Sequence, residues 1–298
     1  MRRSVRGSTA ILLAALAVLP APARASFPGS NGDIVFGRFV GGQSDIVVVY
    51  AGQTGTKRLT STAGRNEAFP DWNADGTRIA YARCGPGELS NCEIFTMDAD
   101  GTDKVRLTIS PEVQETWPVW SPDGSRIAYV SNADDVFQDV WVMDADGGDQ
   151  TRLTATEGFD AFPEWSPDGS RIAFTSDRLA PDDIWTMWPD GSHLRRLTVG
   201  PGIDERPDWS PDGSTIVFSR NGRNIWAMDA DGSDEVALTH SPRDEFAPAF
   251  SPTGNRITFN RIAADGDLGV WTMRADGTGA VRRTYRPLDL FPDWQPVP

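Results

Sequence analysis

Apolar side chains along residues 27–298 come in short bursts separated by glycine, proline and aspartate, and no stretch keeps a 3.6-residue rhythm. Ile172-Ala173-Phe174 alternates in size, while Ile184-Trp185-Thr186-Met187 is nearly continuous in large side chains. The second pattern is that of a strand covered on both faces. It returns at residues 94–97, 140–143, 225–228 and 270–273. Asp-Gly pairs punctuate the bursts, because glycine takes the positive φ that closes a tight hairpin. One set is Asp75-Gly76, Asp123-Gly124, Asp168-Gly169 and Asp212-Gly213; the other is Asp100-Gly101, Asp146-Gly147, Asp190-Gly191, Asp231-Gly232 and Asp276-Gly277. The stretch 162–198 shows the whole unit: four strands joined by three turns.

The unit repeats. The aromatic ahead of each first turn is Trp72, Trp120, Trp165, Trp209, Phe250 and Trp294, at intervals of 41 to 48 residues. Trp294 stands at the C-terminus without the rest of its unit. Residues 27–36 supply the turn and second strand that it lacks, so the two fragments make one unit and the count is six. Four short antiparallel strands at this period indicate a β-propeller blade. The predicted fold is therefore all-β: a six-bladed propeller whose C-terminal strand joins blade one and closes the ring.

Composition changes the picture at the N-terminus. Arg2, Arg3 and Arg6, an apolar run from Ala10 to Leu19, and Ala23-Arg24-Ala25 read as a secretory signal peptide over residues 1–25, with the propeller over 26–298. Export to the periplasm or the extracellular space is expected. Setting aside the four leader arginines leaves 24 basic against 42 acidic residues, a net charge of −18. A surface of that sign repels phosphate backbones and anionic lipid, so nucleic acid and membrane surfaces are poor partners. The expected state is a monomer that does not insert into a membrane.

The run FPEWSPDGSRIAF, followed by DIWTM, DG and RRLT, resembles the PD40 repeat of TolB-like propellers. The likeness covers residues 27–298 and differs from the WD40 pattern, since no Trp-Asp pair closes a strand. It implies a cell-envelope or extracellular protein that binds a protein or peptide. TolB-like proteins carry an α/β domain ahead of the propeller, and prolyl oligopeptidase relatives carry a hydrolase domain; neither is expected here.

Candidate chemistry is sparse. No Gly-x-Ser-x-Gly elbow accompanies a histidine base, and the two histidines, His193 and His240, fall toward opposite ends of their blades. Residues 98–103 and 229–234 imitate calcium loops, but glycine falls at position four and no bidentate glutamate follows, so they read as turns. Cys84 and Cys92 flank the loop between strands two and three of blade two. That placement suits a disulfide in an exported protein.

Three residues ahead of the proline of each first strand stands an acid: Glu67, Glu115, Asp160, Asp204, Glu245 and Asp289. Such a set is expected to ring one mouth of the central channel. It would either hold a cation or basic segment, or bond backbone amides and pair with arginines of adjoining blades. Where the blades differ, Arg38, Arg83, Arg220 and Arg261 contrast with Ser131 and Ser176, and Arg206 and Ala247 replace the Phe69, Trp117, Phe162 and Phe291 that precede the other prolines. Arg206, Arg220, Arg223, Arg243 and Arg261 form a candidate basic sector on blades five and six, facing Asp134, Asp135 and Asp139 on blade three. Local ion pairs are the plainer explanation of the same residues. The leading expectation is a non-enzymatic propeller binding a protein or peptide of the cell envelope at this face. The alternative is a calcium-dependent hydrolase of the lactonase or esterase type, with a metal at the acidic mouth. No cofactor is expected on the first reading; calcium is the ion a carboxylate ring would take, for turnover or for stability alone.

Overall fold

Six sheets of four antiparallel strands stand side by side in the computed structural model, which describes residues 30–53, 55–86, 91–110, 112–134, 137–285 and 288–297. Among the described residues there is no helix, and hence none long and apolar enough to cross a membrane. Blade two shows the plan: Asn66–Trp72, Arg78–Cys84, Glu93–Asp98 and a short outer strand, Val105–Arg106. Blade one takes its first strand from the far end of the sequence. Asp289–Val297 pairs antiparallel with Ser30–Val40, placing Trp294 opposite Ile34. The predicted ring closure is thus present, and the N- and C-terminal strands lock in one sheet.

The near-continuous apolar strands are explained by where the cores lie. Each core sits between two blades, so both faces of every sheet are covered. Val35, Ile46 and Val48 of blade one pack on Trp72, Ile79 and Tyr81 of blade two. Val217, Ile225 and Ala227 of blade five pack on Phe250, Ile257 and Phe259 of blade six. Ile34, Phe36 and Trp294 of blade one meet Val270 of blade six, the interface that completes the circle. The repeated aromatic is the centrepiece of each contact; Trp72 and Trp165 are buried almost completely.

The turns also join blades. Gly101, Gly147, Gly191 and Gly232 have φ between +81° and +91°. Each lies against the carbonyl of a leucine in the preceding blade, respectively Leu59, Leu107, Leu153 and Leu197, where a Cβ would find no room. Cys84 and Cys92 form the expected disulfide, one position beyond the Arg83–Glu93 pair of the same hairpin.

Candidate functional site at the channel mouth

Every first strand carries a proline, and at that proline the ladder to the second strand slips. The shift falls between Ala68 and Asp71 in blade two and between Glu205 and Asp208 in blade five, with equivalents in the other blades. Proline has no N–H to give the ladder, and the residue before it becomes a bulge. That residue has φ between +51° and +58° in all six blades: Phe69, Trp117, Phe162, Arg206, Ala247 and Phe291. Positive φ on non-glycine residues costs on the order of 1–3 kcal/mol each. Here it gathers side chains from separate blades at the ring centre. Phe69 lies 3.8 Å from Trp117 and 5.1 Å from Phe291, centroid to centroid, and Trp117 lies 4.6 Å from Phe291 and 4.7 Å from Phe162.

The fifth member of the ring is a cation. The Arg206 guanidinium lies 3.9 Å from the Phe162 centroid, 4.6 Å from Trp117 and 4.9 Å from Phe291. Its backbone N–H donates to Thr175 Oγ1, but its Nη1 has no hydrogen-bond partner and is shut off from solvent. Burial lowers its pKa to about 10, partly offset by the Glu205 charge.

Two residues further along each first strand the channel turns acidic. Asp71, Glu164, Asp208 and Asp293 line it, with Val119 and Ala249 at the matching places in blades three and six. Three of them staple neighbouring blades. The N–H of Trp72 donates to Asp293 (2.8 Å), that of Trp120 to Asp71 (2.8 Å), and that of Phe250 to Asp208 (2.5 Å). All four pKa values are raised. Removal from bulk water is the largest cause, and mutual repulsion adds to it for Asp71, Glu164 and Asp208. Asp208 is pushed to about 8 and Asp293 to about 7, against the lowering effect of the N–H groups that each accepts. Sequence reading passed over this set, although an acid between proline and tryptophan in four of six units was the signal for it. Among the described residues, no three His, Cys, Asp or Glu side chains are grouped to hold one metal ion.

The six acids ahead of the prolines occupy a different place. They are buried at the start of the first strands and do not line the channel cavity. Five meet an arginine of the same blade rather than an adjoining one. Arg38 Nε lies 2.6 Å from Asp289, Arg83 Nε 2.8 Å from Glu67, Arg178 Nη2 2.9 Å from Asp160 and Arg220 Nε 2.6 Å from Asp204, and Arg261 pairs with Glu245. Glu115 faces Ser131, as Asp160 faces Ser176 in blade four, but blade four supplies Arg178 two residues further on, and among the described residues no arginine forms an ion pair with Glu115. Burial raises its pKa, against the hydroxyls of Thr108 and Ser110, and its Oε2 has no partner.

The candidate basic sector is therefore uneven. Arg220 and Arg261 are matched by Asp204, Glu235 and Glu245. Arg223 reaches Asp244 at 3.7 Å on the surface, and Arg243 Nη1 donates to the Ala263 carbonyl. On blade three, Asp134 lies 3.7 Å from Arg152, and Asp139 pairs with the same arginine. Asp135 lies outside the described residues, as do residues 1–25, for which a signal peptide is expected. His193 stacks on Trp188 at 3.5 Å, and His240 Nδ1 bonds the Thr239 carbonyl, so neither joins the channel.

Comparison with known proteins places this geometry. The family model described as PD40, TolB beta propeller domain, matches residues 112–297. No curated protein matches the sequence. TolB from Acinetobacter baumannii superposes with a TM-score of 0.75 at 20% identity, over 91% of this protein and 69% of that one. The putative TolB from Agrobacterium tumefaciens gives 0.67 at 24% identity, over 90% and 93%. An oligogalacturonate lyase from Vibrio parahaemolyticus gives 0.58 at 14% identity, over 80% and 73%. At these identities the likeness is one of fold.

Proposed function

The protein belongs to the TolB β-propeller family, and on that premise we propose that it is an exported, non-catalytic binding protein that takes a protein or peptide segment of the cell envelope at its channel mouth. The observation that supports this reading most is the set Phe69, Trp117, Phe162, Arg206 and Phe291. Five large side chains are turned toward one another by a backbone strain repeated in every blade. Phe69, Trp117 and Phe291 also pack on the core between blades two and three, whereas the sixth place holds only the methyl group of Ala247. Aromatic and arginine side chains in a partly open depression are the residue types that carry most binding energy at protein interfaces.

Substitution of Trp117 by alanine tests the reading. The variant is expected to fold with a lowered melting temperature, since Trp117 packs on the core of blades two and three, and, at a temperature where it is folded, to lose the partner that wild-type protein captures from native envelope. Undiminished capture would count against the mouth. The hydrolase alternative needs donors converging on one calcium ion. The four channel carboxylates each already accept a backbone N–H, and among the described residues no three acidic, His or Cys groups converge. Nothing in this arrangement favours the hydrolase alternative over binding.

A further inference from the structure

We infer that the mouth selects a carboxylate, from an acidic side group or the free C-terminus of the partner, and that Arg206 is the residue that receives it. This inference rests on the channel mouth being the binding site. Arg38, Arg83, Arg178, Arg220 and Arg261 each meet a carboxylate within their own blade. Arg206 breaks that rule: among the described residues no carboxylate lies within ion-pair distance, and its guanidinium makes no hydrogen bond. Glu205 is the one charge that acts on it, and it does so without contact. The channel acids beneath, Asp71, Glu164, Asp208 and Asp293, line the same cavity, but among the described residues none of them pairs with the guanidinium.

Three aromatic faces stabilise the cation by about 0.5–2 kcal/mol each at most. They leave its N–H groups unmet, and an unmet buried donor costs about 1–3 kcal/mol. If this position had only to close the channel, a phenylalanine, as in three other blades, would close it without that cost. A guanidinium held over rings, with donors to spare, can give the bidentate bonds that carboxylates accept. The neighbouring place in the ring holds Ala247, whose methyl leaves the mouth open on the side of blade six.

The mature protein is to be titrated by ligand-observed NMR with N-acetylphenylalanine and, separately, with N-acetylphenylalanine amide. The pair shares an aromatic ring and differs in the carboxylate. The acid is expected to bind wild-type protein about tenfold more tightly than the amide, the worth of one charge-assisted bond. Arg206→Gln and Arg206→Met are expected to bind both equally weakly, with melting temperatures at or above wild type. Equal binding of acid and amide to wild type, no binding of the acid, or a preference that survives both variants overturns the inference. Envelope capture separates this from the broader reading. Loss of the partner in Trp117→Ala with full capture by Arg206→Gln keeps the mouth and discards the carboxylate; full capture by both discards both.

Discussion

At the scale of the residue, one repeated position has two electrostatic solutions. Glu245 is fully buried and paired with Arg261, whereas Glu115 is buried almost as completely and, among the described residues, forms no ion pair, with Arg106 acting on it only as a minor influence. Removing one member of a buried pair leaves the other uncompensated, at a cost on the order of 3 kcal/mol. Glu245→Gln should destabilise by that order in chemical denaturation. Glu115→Gln should stay within about 1 kcal/mol of wild type, because an amide replaces a carboxyl that burial already holds toward its neutral form. The pH dependence separates them further. A carboxyl whose folded pKa is raised loses stability as pH rises from its unfolded value toward the folded one. Glu115→Gln should therefore gain on wild type at neutral pH relative to acid pH. Equal losses in the two variants would show that the arginine is not what distinguishes the blades.

At the scale of the element, the Asp-Gly turns are alike in sequence and unlike in what surrounds them. Gly147, in the turn between strands three and four, has φ +91°, and a Cβ there would sit 2.5 Å from the Leu107 carbonyl of the preceding blade. Gly124, in the turn between strands one and two, has φ +69° and open space around it. Gly124→Ala should cost about 1 kcal/mol, the penalty of the left-handed backbone alone. Gly147→Ala should cost at least twice that, since the blades must also part; thermal denaturation of the two variants reads the difference. Local chemistry makes both turns legible in the sequence, along with the strand count and the split blade. The mouth was only half legible. The residues before the prolines stood out as variable, but a residue before proline is normally pushed toward extended backbone. Nothing local announces that six of them adopt positive φ and meet at the ring centre. Acid–arginine pairing was one of the two sequence readings, but between blades; that the arginine comes from the same blade depends on register, which places Arg220 opposite Asp204 and Arg261 opposite Glu245. Asp71, Glu164, Asp208 and Asp293 each look like one more strand residue until closure brings them around one channel.

At the scale of the whole molecule, closure of the ring turns a repeated residue into a collective titration. Asp208 and Asp293 have folded pKa values of about 8 and 7 against an ordinary value of 3.8, and Asp71 and Glu164 are raised with them. Between those limits the folded ring binds more protons than the unfolded polypeptide, so stability falls as pH rises from about 4 to about 8. The turn acids act in the opposite direction. Hydrogen bonds from neighbouring hydroxyl and N–H groups lower the pKa of Asp100, Asp212 and Asp231, so their contribution is present above the unfolded value and disappears as pH falls through the folded one. The two sets together place the stability maximum on the acid side of neutrality, in the window of about pH 4–6. Asp208→Asn with Asp293→Asn keeps an oxygen to accept the N–H groups of Phe250 and Trp72 and removes two of the titrating groups. The double variant should match wild type near pH 5 and exceed it near pH 8 by at least about 2 kcal/mol, several degrees of melting temperature in a domain of this size. Melting curves taken across pH 4–9 decide the matter, and a wild-type profile that rises toward pH 8, or a variant that falls in parallel with it, would remove the channel carboxylates as its cause.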